Sequence, residues 1–97
     1  LGLTRSLAVQ LASDRILVNA LCPGWVETEM AKAGIQNLAD RGGETYAIEF
    51  DKQMSYVPLR RISQPEEIAR MVAFLFSNQQ TSITGQSLDI NNGSYMQ

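Results

Sequence analysis

The segment NALCPGWVET, Asn19 to Thr28, holds the residue types best spaced to do chemistry. Pro23 fixes φ and has no amide donor, which leaves nearby carbonyls free to face a ligand. Gly24 has no Cβ, so a flat ring can approach its backbone closely. The Val26 backbone amide and the Thr28 hydroxyl then offer the donor and acceptor that a carboxamide needs. A plainer reading fits the same residues: a strand-ending turn, with Thr28 capping the helix that follows. Spacing alone favours that plainer reading, because Pro-Gly is so common in turns.

Other kinds of chemistry find little support. The 97 residues contain no histidine, which removes Ser-His-Asp and Cys-His nucleophilic designs and the commonest metal ligand. The single cysteine, Cys22, excludes an internal disulfide and fits a reducing compartment. With no base to activate it, Cys22 reads as a small buried apolar residue. The carboxylates are dispersed, and no metal site is expected. Net charge is -2, with basic and acidic residues intermingled, so neither nucleic acid nor an anionic membrane is expected as a partner. No apolar stretch approaches the roughly 20 residues of a membrane helix.

The elements that must position Asn19–Thr28 follow from periodicity. Leu3, Leu7 and Leu11 recur every fourth residue, which predicts a helix over 1–12 with Ser13-Asp14-Arg15 as its exit. Ile16–Leu21 is short and almost continuously apolar, as in a strand buried on both faces. Residues 29–61 are polar and mixed, with helical patches expected around Met30–Leu38 and Glu44–Met54. So long an excursion between core elements reads as a lid or binding loop. In ISQPEEIARMVAFLFSN, Pro65 suits a first helical turn and Glu66-Glu67 suit its positive end. Ser63 or Gln64 could cap it, and the Ser63-x-x-Glu66 spacing favours Ser63. Ile68, Met71, Val72 and Leu75 form its apolar face, broadened by Phe74 and Phe76. QSLDI is the second strand, and Asn91-Asn92-Gly93 the turn that ends it.

This order (helix, strand, lid, helix, strand) predicts an α/β fold with a parallel sheet. Two strands do not make a stable sheet alone, so further strands are expected from a preceding segment or another chain. The chain opens inside a helix without methionine and reads as a fragment.

ILVNALCPGWVET resembles the "hxVNxhxPGxhxT" segment of the short-chain dehydrogenase/reductase family. PLRRISQPEEIARMVAFLFSNQQTSITGQSLDI is similar to that family's "PLxRxxxPeEIAxxvxFLxSxxxxxiTGqxhxvDGG" ending, and LGLTRSLAVQLA to the helix that carries its catalytic lysine. The resemblance implies that residues 1–97 are the C-terminal part of one Rossmann-like, doubly wound NAD(P)-binding domain, with a substrate lid about 29–61. It implies a parent oxidoreductase that interconverts an alcohol and a carbonyl by hydride transfer with NAD or NADP. Pro23 and Gly24 would then wall the nicotinamide, while Val26 (through its backbone) and Thr28 (through its hydroxyl) would hold the carboxamide. Trp25, Glu29 and Met30 would begin the substrate side, though Trp25 equally suits packing beneath the loop. A small-molecule alcohol or carbonyl substrate, a cytoplasmic location and a homodimer or homotetramer belong to the same implication. Family members pair through the helix represented by 1–12, and through the Pro65 helix with the last strand.

The sequence also departs from the family. No Gly-rich nucleotide-binding turn is present, and no tyrosine has a lysine four residues on. Tyr56 has Arg60 at that spacing, but Pro58 lies between them and a helix there would break. No catalytic residue is therefore assigned, and the chain alone is expected to be inactive. Asn91-Asn92-Gly93 stands where Asp-Gly-Gly is usual. The rival reading is a non-catalytic remnant or assembly module that binds a partner through its apolar helices.

Overall fold

The computed structural model describes residues 1–96. Helix α1 spans Gly2–Leu11 and runs into a 3-10 turn at Ala12–Asp14. Arg15 then adopts a left-handed conformation (φ 58°) and donates its amide to Ala12 O at 2.9 Å, which turns the chain toward the sheet.

The first strand lies further along than its apolar run predicts. Strand β1 is Ala20–Pro23, not Ile16–Leu21, and it pairs in parallel with β2, Ser87–Ile90. The reason is in the side chains just before it. Thr84 Oγ1 accepts from Val18 N at 3.0 Å, and Asn19 donates to Ile83 O and accepts from Gln86 N. With the backbone bond from Gly85 N to Val18 O at 2.6 Å, these bonds hold the two segments together just ahead of the strand ladder. The register then aligns Pro23 with Ile90. β1 is half-buried rather than covered on both faces.

Residues 29–61 form two well-capped helices. Helix α2, Glu29–Gly42, starts at Thr28, whose Oγ1 accepts from Ala31 N at 3.1 Å, and ends at Gly43 with φ 67°. Helix α3, Tyr46–Ser55, is capped by Thr45 through Ile48 N. Polar in composition, this excursion nevertheless carries the best-buried apolar residues. Ile35 and Ala39 are 0% exposed, and Ala31, Met54 and Val57 join them. On α2 the buried positions 31, 35 and 39 recur at the four-residue spacing of one helical face.

Helix α4, Pro65–Phe76, corrects two expectations. Its cap is Gln64 rather than Ser63: the Gln64 amide donates to Glu67 Oε2 at 2.6 Å. Ser63 instead turns inward and is 3% exposed. Phe74 and Phe76 do not broaden a buried face either, since Phe76 is 87% exposed. A two-stranded sheet is too narrow to cover the whole helix. The molecule accordingly measures 55 × 25 × 23 Å with a radius of gyration of 16.9 Å. A compact domain near this length has roughly 13 Å.

Candidate functional site

Gly24–Thr28 leaves the sheet at the carboxyl end of β1, where ligands bind in open parallel sheets. Gly24 N donates to Ile90 O at 3.0 Å, so the loop starts against the end of β2. The direction in which Gly24 lacks a Cβ is occupied by protein. A Cβ there would sit 2.8 Å from Asn91 Cβ and 3.1 Å from Asn91 Cα. Packing against the second strand's turn thus requires the glycine in its own right.

Trp25 is half-buried and its ring edge lies against Gly34 of α2, which places it as packing under that helix. The next residues make one parallel rung with Ser63. Ser63 N donates to Trp25 O at 3.0 Å, and Glu27 N donates to Ser63 O at 2.8 Å. In such a rung Ser63 uses the residues flanking Val26, while Val26's own N–H and C=O point to the opposite edge. Among the described residues neither group of Val26 has a hydrogen-bond partner. Thr28 stands two residues on, exposed. Its oxygen accepts the cap bond from Ala31, which leaves the hydroxyl hydrogen to donate elsewhere. Capping and ligand contact are compatible in this geometry. Val26 and Thr28 thus lie two residues apart on the loop that leaves β1 after Pro23.

The substrate-side residues are less tightly grouped. Met30 is 84% exposed, and Glu29 points to solvent with only a 3.8 Å contact to Lys32. An exposed pair of this kind contributes little. Glu29 does line an open groove of about 650 Å³ between α2 and α3, shared with Glu27, Lys32, Tyr46, Phe50 and Asp51. Neither Trp25 nor Met30 lines it. Tyr46 and Phe50, whose rings stack with centroids 6.2 Å apart, escaped notice as groove walls. Their i, i+4 spacing on a short helix was the available signal.

Two further residues were missed. Local spacing marks Ser63 as a cap and Asn92 as a turn residue only. Asn92 is a turn residue (φ 54°), but its side chain also reaches Arg61 and Ser63. Arg61 in turn bonds Glu67 at 2.6 Å. The Arg61 guanidinium, and then the Gln64 amide, hold the Glu67 carboxyl below the usual carboxylate range. Gln64 donates to Glu27 at 2.6 Å and closes the circuit back to the loop.

Tyr56 lies just past the end of α3, and Arg60 (φ 56°) folds its guanidinium back onto Ser55 O. The two do not share a helical face. Among the described residues no group of three or more His, Cys, Asp or Glu side chains could hold a metal ion. No helix among them is long and apolar enough to cross a membrane.

Residues 1–95 match the family described as Enoyl-(Acyl carrier protein) reductase. A putative ketoacyl reductase of Streptomyces coelicolor is 38% identical over 92 residues, covering 95% of this chain and 35% of that protein. An acetoacetyl-CoA reductase of Rhizobium meliloti is 37% identical over 95 residues, 98% of this chain and 35% of its own length. The crystal structure of a short chain dehydrogenase family protein from Francisella tularensis superposes with a TM-score of 0.91 at 38% identity, covering 96% of this chain and 38% of that one. YwfH, an NADPH dependent reductase involved in bacilysin biosynthesis, gives 0.91 at 28% identity, covering 99% and 36%. The chain thus spans about a third of the length of these relatives. Matched along nearly all of its length in both sequence and fold, the chain belongs to the short-chain dehydrogenase/reductase family.

Proposed function

We propose that these residues form the nicotinamide-side loop and substrate lid of an NAD(P)-dependent oxidoreductase that interconverts an alcohol and a carbonyl. The observation that carries this reading is the free edge of Val26: one N–H and one C=O, without a hydrogen-bond partner among the described residues, two positions before the Thr28 hydroxyl. A primary carboxamide presents the complementary acceptor and donor. When bound, the nicotinamide supplies or accepts the hydride. Val26 and Thr28 fix the orientation of its ring, a positioning contribution. Pro23 and Gly24 support the wall, and residues 29–61 close over the substrate side, with the groove beside Tyr46 and Phe50 as its apolar surface. The NADPH dependence of YwfH supports a nicotinamide cofactor, NAD or NADP.

Replacement of Thr28 tests the anchor in the full-length protein. Thr28→Val keeps the branched shape and removes the hydroxyl, and should weaken cofactor binding about tenfold, the scale of one or two hydrogen bonds. Thr28→Ser restores the hydroxyl and should stay near wild type. Equal binding by all three overturns the assignment. Thr28→Val should also cost about 1 kcal/mol through the lost cap, read separately by denaturation.

The same reading makes residues 1–97 inactive by themselves, since no Tyr-x-x-x-Lys occurs among them. Incubated with NADH or NADPH and a panel of ketones, this polypeptide should show no turnover above background; measurable turnover would refute it. Pairing into a homodimer or homotetramer belongs to the proposal as well. It is supported by the apolar side chains left exposed on α1 (Leu3, Val9) and α4 (Phe76).

A further inference from the structure

The turn after β2 carries Asn92 where the family's Asp-Gly-Gly ending has a glycine, and that side chain is fully engaged. Its Nδ2 donates to Ser63 Oγ at 2.9 Å and to Arg61 O at 3.2 Å. Its Oδ1 accepts from Arg61 Nη1 at 2.9 Å, and its backbone carbonyl accepts from Leu59 N at 3.1 Å. A glycine at this place could make only the last of these four bonds. Three of them therefore exist because the residue is asparagine.

What Asn92 grips is the residue that sets the cofactor loop. Ser63 is 3% exposed and bonds Trp25 O and Glu27 N on either side of Val26. Ser63 has little besides this rung and Asn92 to fix it: the helix cap beside it is Gln64, and Ser63 itself caps nothing. Rotation or withdrawal of Ser63 would turn the Val26 peptide groups away from their edge. Asn92 blocks that movement from the far side. Arg61, held by Asn92 and Glu67 together, blocks it from the lid side.

We propose that Asn92 is a positioning residue for the nicotinamide: through Ser63 it holds the Trp25–Glu27 rung so that the N–H and C=O of Val26 face the carboxamide. Asn92 itself touches no part of the ligand in this arrangement. The proposal rests on the carboxamide reading of Val26 and Thr28, and the test separates the two. It also implies that the latch belongs to this chain and is dispensable where a glycine-ended turn is stiffened in another way.

The experiment uses the full-length protein and two probes, NAD(P)H and ADP-ribose, which lacks the nicotinamide. Asn92→Gly keeps the left-handed backbone accessible and removes only the side chain. It should weaken NAD(P)H binding about tenfold and leave ADP-ribose binding unchanged. Ser63→Ala should produce a similar loss, and the double variant should be little worse than either single one, because both break the same chain of contacts. Steady-state kinetics should show the cofactor KM rising more than kcat falls.

Equal weakening of both probes would make Asn92 a general structural residue and overturn the proposal. So would an unchanged NAD(P)H affinity in Asn92→Gly while Thr28→Val weakens it; that result leaves the carboxamide anchor standing. If Thr28→Val also leaves NAD(P)H binding unchanged, the anchor itself fails and the latch proposal falls with it.

Discussion

Ile35→Ala should destabilise the α2–α3 pair by about 2–5 kcal/mol, the range for truncating a buried isoleucine. Ile35 is 0% exposed, and its α2 neighbours on the same face, Ala31 and Ala39, are too small to fill the space it would leave. Ile35→Val removes one methylene and should cost only about 0.5–1.5 kcal/mol. The loss should be local, because Ala31, Ile35, Ala39 and Met54 all lie on α2 and α3, which pack on each other. Hydrogen exchange of the full-length protein should show the amides of α2 and α3 opening much faster, while β1 and β2 keep their protection. Substrate KM should rise before cofactor affinity changes. Uniform acceleration across sheet and lid would show that the two are one cooperative unit.

Gly24→Ala should have the next largest effect, about 1–3 kcal/mol, typical of forcing atoms into filled space. The added methyl would lie 2.8 Å from Asn91 Cβ and 3.1 Å from Asn91 Cα, atoms at or next to the backbone that cannot swing aside. Either β1 or the turn after β2 must shift, and the Gly24 N to Ile90 O bond goes with it. Gly2 supplies the control, since a Cβ there meets nothing within 4 Å. Gly2→Ala in a helix should be neutral or stabilising by roughly 0.5–1 kcal/mol. Thermal or denaturant unfolding of both variants reads the contrast directly. A Gly24→Ala protein as stable as wild type would mean that the strand ends are more yielding than their packing implies.

The order of elements was legible because it rests on local pattern. Leu3, Leu7 and Leu11 mark α1, and Pro65 with Glu66-Glu67 marks the start of α4. The helices of the lid were placed within a few residues, yet their importance to burial was not. Ile35 and Ala39 sit among Lys32, Gln36 and Asp40, and the low mean hydropathy of the segment hid a narrow apolar stripe. The apolar run starts ahead of β1: Ile16 and Leu17 are apolar yet 47% and 36% exposed, and the segments first bond through Val18, Asn19, Thr84 and Gly85. The cap of α4 was misassigned for a related reason. Ser63 has suitable spacing, but its hydroxyl is claimed by Asn92, 29 positions away and invisible to any local rule. The family likeness named Val26 and Thr28 as the proposed carboxamide contacts. That Val26 is left unpaired required the rung with Ser63, a non-local contact.

That rung has a consequence for how such a chain can be rebuilt. Glu27 and Ser63, joined by one hydrogen bond, are the exit and return points of the whole excursion between them. A segment whose two ends are already clasped can change length at a cost that grows only with the logarithm of its size, about 0.6 kcal/mol for each doubling. The segment between Thr28 and Pro58, which stops short of the Leu59 and Arg61 bonds to Asn92, is therefore an exchangeable cassette. A longer, shorter or differently charged insert could be grafted there without re-registering the strands beneath.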